Sequence, residues 1–421
     1  MQSLPENKCS PSRKTLQPVT AGMKRKAEVL DQQQHEVNQE NSRNTHGPKA
    51  KRHKDWRKKF TSNTLGTQIS PSLVSRKSFQ LHKKYERLEL YPNIKKANQK
   101  YTRKPTAEEV KNAYKIISDP KKWKLFDRGL NILFDKSRKD RRVIAIIEFV
   151  EWDELTVQER IEINHVSTFL HSSKRFLTPV KARGWGGYMW ALGYRKAMVK
   201  GQIFGRYIKQ VAMKTAPKLF DSVFRSSAWV GSILGNMFEN MGSIPFKKNQ
   251  ETMKENGIPD FAALSFTDKS TNSSGSPHIT FTSNGFFNPP HTDKKDISDF
   301  AFALFVPTFK STGKLASPSD GCKITRGPFV FPDYRAGIDF SRTTGIVRMI
   351  WRARDYKHCT LPHEDNPFFT RLAMSLQINK NLSNACLRFK KGVHKGKIIA
   401  DHYYYLNKVL QRRSSKRRYK K

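Results

Sequence analysis

Two spacings of apolar residues divide this chain. In the front half they recur at helical intervals. Thr106 and Glu109 form a capping box ahead of Val110, Ala113, Tyr114 and Ile117, which predicts a helix that Pro120 ends. Thr156 and Glu159 form a second box, opening a helix to about His171 whose positions Val157, Ile161, Val166, Phe169 and Leu170 are expected to face a sheet. Between these helices, Ile132–Phe134 and Val143–Val150 read as a hairpin joined by the charged run Asp135–Arg142. From His278 the period becomes two. Ile279, Phe281 and Ser283 line one face of a strand, and Phe300–Val306 is a second strand ended by Pro307. Gly337–Phe340, Gly345–Ala353 and Arg371–Asn379 are further strands. Short strands separated by turn signals predict a jelly roll, and the fold class is α+β.

The pattern sets expected boundaries. Residues 1–104, with the run Gln32–Gln34 and the Asn/Ser-rich stretch 38–45, bury too little apolar surface to order themselves and form a basic arm. Residues 105–266 form a mainly helical front part with an early β-hairpin. A Ser/Asn/Gly/Pro linker over 267–277 leads to a β core over 278–387, and 388–421 is a basic tail.

Charge points to a partner. The chain has 421 residues and a formal net charge of +43. Lys and Arg outnumber Asp and Glu by 24 to 8 in residues 1–104 and by 13 to 1 in 388–421, and the region between is basic as well. Such self-repulsion favours a polyanion, so the expected partner is a nucleic acid. Lys24–Lys26 and the cluster 49–59 have the character of nuclear-import signals, so the nucleus is the expected location; the same runs also suit a loose nucleic-acid arm. No apolar run reaches the ~18 residues of a membrane span, and no secretory leader is visible. Cys9, Cys322, Cys359 and Cys386 form no C-x-x-C pair, which argues against a zinc ribbon and for reduced thiols.

One constellation carries chemistry. His291 and Asp293 stand two apart after a strand, so both side chains reach the same side, and Pro289-Pro290 stiffens the approach. His358 follows 67 residues later and Arg371 another 13 on. Two imidazoles and a carboxylate hold one face of an octahedral iron(II), and an arginine clamps a carboxylate through two parallel hydrogen bonds. This reads as an iron site that takes an oxo-acid co-substrate and oxygen. Arg371, Ala373, Ser375 and Gln377 share a polar strand face that lines a pocket, and Leu372, Met374 and Leu376 share a core face. His363 is the rival second imidazole, and Asp365 is the rival partner of Arg371. The Gly- and aromatic-rich segment 181–242, with Trp185 and Arg195 beside Lys196, Lys200 and Arg206, suits either a nucleic-acid surface or a packed helix pair with snorkelling lysines.

The ordered set Asn288-Pro-Pro-His-Thr-Asp293, Gly327-Pro-Phe-Val-Phe-Pro-Asp333, Gly337-Ile-Asp-Phe340, Met349-Ile-Trp-Arg352, Tyr356-Lys-His358 and Thr370-Arg371, with Trp185–Met189 and Gly193–Arg195 ahead of it, resembles the fungal branch of the Tet-like iron(II)/2-oxoglutarate oxygenases. The resemblance spans roughly residues 130–385. It implies a double-stranded β-helix with His291, Asp293 and His358 as Fe(II) ligands and Arg371 on the distal carboxylate of 2-oxoglutarate, with Ser375 beside it. It implies oxidation of the methyl group of 5-methylcytosine in DNA. Asn284, Asn288 and Asp339 are candidate substrate contacts by position, and Trp185 and Arg195 are candidates because an aromatic ring stacks on a base and an arginine reaches a phosphate. The animal enzymes' cysteine-rich zinc region has no counterpart here. Alternative readings are an oxygenase acting on RNA or a protein side chain, and an inactive nucleic-acid-binding protein of mobile-element origin. The oligomeric state is not legible.

Overall fold

A computed structural model describes residues 76–394 apart from short stretches at 85, 87, 93, 95–102, 141, 181–184, 199–202, 264–270, 325–326 and 364–366. The basic arm before residue 76, its two import-like clusters and the tail beyond 394 lie outside the described residues.

The framework is a nine-stranded sheet facing a five-stranded one. Strands β1 (Arg76–Leu81), β3 (Leu130–Asp135), β4 (Val143–Val150), β5 (Tyr188–Lys196), β6 (Phe204–Arg206), β7 (His278–Ser283), β9 (Ala301–Phe309), β12 (Ile346–Trp351) and β14 (Phe369–Gln377) build the larger sheet in the order β1-β3-β4-β12-β9-β14-β7-β5-β6. Strands β2 (Lys124–Phe126), β8 (Asn288–His291), β10 (Phe329–Phe331), β11 (Ala336–Ile338) and β13 (His358–Thr360) build the smaller, in the order β2-β11-β10-β13-β8. This is a double-stranded β-helix, as the alternating pattern after residue 278 predicts.

Strand alternation assigns each side chain to a layer. In β9, Phe302, Leu304 and Val306 point to one face while Ala301, Ala303 and Phe305 point to the other. The first set joins Leu372, Met374 and Leu376 of β14 and packs under helices α2 (Val157–Ser173), α5 (Ser227–Met241) and α6 (Ser243–Asn256). The second set faces Phe329, Phe331 and Ile338 of the smaller sheet. Covered on both faces, β4, β9 and β12 are largely apolar, and β4 is buried at every position. The exception on the helix side is an ion pair: Arg348 of β12 lies opposite Glu148 of β4, with Nε 3.0 Å from the carboxylate and both side chains at most 10% exposed. Helix α1 (Ala107–Ile117) packs Ala113 and Ile117 against the outside of the smaller sheet, on Val330, Cys359 and Leu361. Helices α3 (Gln210–Thr215), α4 (Pro217–Phe224) and α7 (Lys380–Lys390) complete the described elements.

Both capping boxes form as expected, with the Thr hydroxyl accepting from the Glu N–H and the Glu carboxylate accepting from the Thr N–H. Several expectations are corrected. Order begins before residue 105, because β1 runs parallel to β3 and Leu90, Tyr91 and Ile94 are buried. The front part, 105–266, is mainly helical as expected, but its strands β2–β6 are woven into both sheets and do not merely pack on the core. Thr271–Pro277 is no linker: Ser274 and Ser276 are buried, and the Ser276 hydroxyl lies 2.7 Å from the carbonyl oxygens of both His278 and Gln377. The segment 188–196 is a strand and not part of a helix pair. Val157 and Ile161 face solvent, leaving Ile163, Val166, Phe169 and Leu170 to pack. Strand β9 runs through Pro307. Its pairing with β12 ends at Phe305, and the Pro307 carbonyl turns to Ala316, so the missing N–H falls on the side where no neighbouring strand needs it.

Candidate active site

Pairing in the smaller sheet assembles the site. His291 at the end of β8 lies opposite His358 at the start of β13. Their rings stand 4.3 Å apart. Asp293, two residues past His291, is fixed by its own N–H donating to Ala353 O at 2.9 Å and by Gln377 Nε2 donating to Oδ2 at 2.8 Å. Its two oxygens lie 3.5 Å from His291 Nε2 and 3.7 Å from His358 Nε2. The three donor atoms are all within 4.8 Å of one another.

Backbone carbonyls set the imidazole tautomers. Nδ1 of His291 donates to Pro289 O at 2.8 Å, and Nδ1 of His358 donates to Tyr356 O at 3.0 Å. Each Nε2 is thereby left as the lone-pair nitrogen on the Asp293 side, the tautomer of imidazoles that ligate a metal; at His291 a metal would take the place of the Asn288 donor. Asn288 Nδ2 donates to His291 Nε2 at 2.9 Å. Phe329 stacks on His358 at 5.5 Å and Trp351 meets it edge-on at 5.7 Å, so the His358 ring turns little. The donor set, two neutral nitrogens and one carboxylate on one side of an open space, suits iron(II).

That space is a cavity of about 160 Å³ lined by all three residues and, among others, by Arg371, Ser375, Gln377, Thr280 and His363. Arg371 is buried. Its guanidinium donates to Gly327 O and lies 3.9 Å over the Phe340 ring, and burial pushes its pKa down to about 10. Ser375 shares a 2.6 Å hydrogen bond with Thr280 across the β14–β7 pair. The polar face read from β14 is therefore the cavity wall, and its opposite face is core.

The structure gathers His291, Asp293, His358, Arg371, Ser375 and Asn288 at one cavity. His358, not His363, stands with the first two. Four expected substrate contacts do not line the cavity. Asn284 sits in the turn after β7, its N–H donating to Thr370 Oγ1. Asp339 accepts from Ser341 N–H beside a groove along α1. Trp185 is buried in the cluster under α1, and Arg195 lies over Tyr207. Asp365 is outside the described residues. The sequence placed Gln377 on the pocket-lining face of β14 but did not show that it holds Asp293. Phe329 and Trp351 carried no signal, being apolar residues in apolar strands.

The fold and donor set define a 2OG-Fe(II) oxygenase. The sequence pattern of the Tet-like 2OG-Fe(II) oxygenase superfamily matches residues 156–363, and over that span the chain belongs to this family. It is a dioxygenase that depends on iron(II) and 2-oxoglutarate. Among solved structures, the chain is similar to NgTET1 in complex with 5mC DNA (13% identity, 62% of this chain and 82% of that one, TM-score 0.35). It is also similar to a 2OG-Fe(II) oxygenase family oxidoreductase from Burkholderia pseudomallei (11%, 56% and 87%, TM-score 0.28) and to a Pseudomonas putida prolyl-4-hydroxylase (11%, 56% and 92%, TM-score 0.25). No curated protein sequence matches.

Proposed function

We propose that His291, Asp293 and His358 bind the iron(II), that Arg371 takes the distal carboxylate of 2-oxoglutarate, and that the enzyme oxidises the methyl group of 5-methylcytosine in DNA in the nucleus. The observation that carries the cofactor assignment is the pairing of a two-His, one-Asp donor set with a buried guanidinium on the walls of one cavity. When bound, iron and 2-oxoglutarate supply the oxygen activation. The chain's own residues position and shield. Gln377 holds Asp293 in the orientation its ligand role needs. The Pro289 and Tyr356 carbonyls keep both Nε2 atoms deprotonated, and Phe329 and Trp351 keep the His358 side of the cavity apolar.

The substrate assignment rests on the Tet-like family and on a net charge of +43, which favours a polyanion. A cytosine inside a duplex cannot reach an enclosed site, so the base enters flipped out or from single-stranded DNA. The test is a turnover assay with methylated and unmethylated duplexes of one sequence, reading succinate and oxidised cytosine by mass spectrometry. Both products on the methylated duplex alone are expected. Succinate coupled only to RNA or a protein substrate would overturn the DNA reading, and no turnover on any substrate would leave a binding protein.

A further inference from the structure

His363 reaches the co-substrate cavity, yet the metal triad does not use it. We infer that His363 is a second recognition residue for the distal carboxylate of 2-oxoglutarate, donating a ring N–H to the oxygen that Arg371 does not saturate. The inference rests on the cofactor reading proposed above.

Three observations place it there. The ring lines the same cavity as Arg371 and the His291–Asp293–His358 cluster. Both ring nitrogens are closed off from solvent and neither has a hydrogen-bond partner among the described residues. A buried polar atom left in that state is destabilising, so a partner supplied from the cavity would stabilise the ring. Position then selects which part of the ligand. The space beside Gly327 where a Cβ would sit is 2.6 Å from Arg371 Nη2 and 3.0 Å from His363 Nδ1. The two nitrogens are therefore no further apart than those distances together, a separation that one carboxylate can bridge with its two oxygens.

Charge supports the assignment. Burial, reinforced by Arg371 and then Lys310, lowers the His363 pKa to about 3, so the ring is neutral at working pH. One cation and one neutral donor match a single negative charge; a second cation here would repel Arg371. The loop is also held in place. Tyr114 of α1 donates its hydroxyl proton to Pro362 O at 2.6 Å and accepts from Gly327 N–H at 2.7 Å, tying the segment before His363 to the residue that holds Arg371.

The test is calorimetric titration of the full chain loaded with Mn(II), using 2-oxoglutarate and 2-oxovalerate, which keeps the oxo-acid head but carries a methyl in place of the distal carboxylate. His363→Phe and His363→Leu are expected to weaken 2-oxoglutarate by about 10- to 100-fold, the worth of one hydrogen bond to a charged acceptor. They should leave 2-oxovalerate within about twofold of the parent, and His363→Gln, which keeps a donor, should recover most of the 2-oxoglutarate affinity. Unchanged 2-oxoglutarate binding in both apolar variants, or equal loss of both ligands, overturns this role while leaving the cofactor reading intact. Failure of the parent itself to bind 2-oxoglutarate overturns the cofactor reading and this inference with it.

Discussion

Replacing Gly327 by alanine places a methyl group where the cavity wall is tightest. The backbone there has φ +67°, and the added Cβ would lie 2.6 Å from Arg371 Nη2 and 2.7 Å from His363 Cβ. Two costs separate. A left-handed alanine costs about 1–2 kcal/mol. Relief of the contact is the second, because an ordinary van der Waals separation requires a shift of roughly 1 Å. The guanidinium cannot swing away freely, since it is stacked on Phe340 and donates to Gly327 O. A misplacement of that size costs about 100-fold where geometry matters. Gly321 is the control: its φ is +75°, and a Cβ there meets nothing within 4 Å. Gly321→Ala should lower Tm by a few degrees without changing 2-oxoglutarate affinity. Gly327→Ala should lower Tm at least as far and weaken 2-oxoglutarate by about 10- to 100-fold. The measurements are differential scanning fluorimetry and calorimetric titration of the Mn(II)-loaded protein. Equal 2-oxoglutarate affinity in the two variants would refute the placement of Arg371 at the co-substrate.

Other consequences are as direct. Gln377→Leu removes the donor that orients Asp293 and should weaken iron(II) by about 10- to 100-fold with little change in fold, read by metal titration followed by circular dichroism. Glu148→Gln leaves Arg348 buried without its carboxylate and should cost about 3–5 kcal/mol in urea unfolding; a loss under 1 kcal/mol would mean that Glu159, 3.9 Å away, compensates. Burial raises Asp260 to about pKa 7, so the folded state keeps a proton that the unfolded state releases above about pH 4. Stability contributed through this group is thus present at low pH and lost as pH rises to 7. Asp260→Asn should gain on the parent across pH 4 to 7 and run parallel to it above 7. A constant difference across that range would place the Asp260 pKa near its ordinary value.

Local signals were legible and long-range ones were not. The capping boxes at Thr106 and Thr156 involve residues three apart, and both formed. The i, i+2 spacing of His291 and Asp293 and the polar face of β14 also need no distant contact. What the chain could not show is that β13 pairs with β8, which makes His358 the cross-strand partner of His291 and leaves His363 to a different wall. Strand β5 escaped notice for a physical reason. It is covered on both faces, so Met189 and Ala191 are as apolar as Trp190 and Leu192, and no period of two stands out. Its aromatic and basic residues therefore resembled a nucleic-acid surface, whereas Trp190 stacks on Phe281 in the core. Helical spacing in α2 gave an apolar stripe but not its angular limits, and Val157 and Ile161 fell outside the buried arc.

The central claim is that His291, Asp293 and His358 hold one iron(II) that chelates 2-oxoglutarate. Anaerobic addition of iron(II) and then 2-oxoglutarate to the full chain should produce one equivalent of a visible metal-to-ligand charge-transfer band. His291→Ala and Asp293→Ala should abolish the band, and His363→Ala should retain it at saturating 2-oxoglutarate. A full band in His291→Ala, or none in the parent protein, would contradict the account.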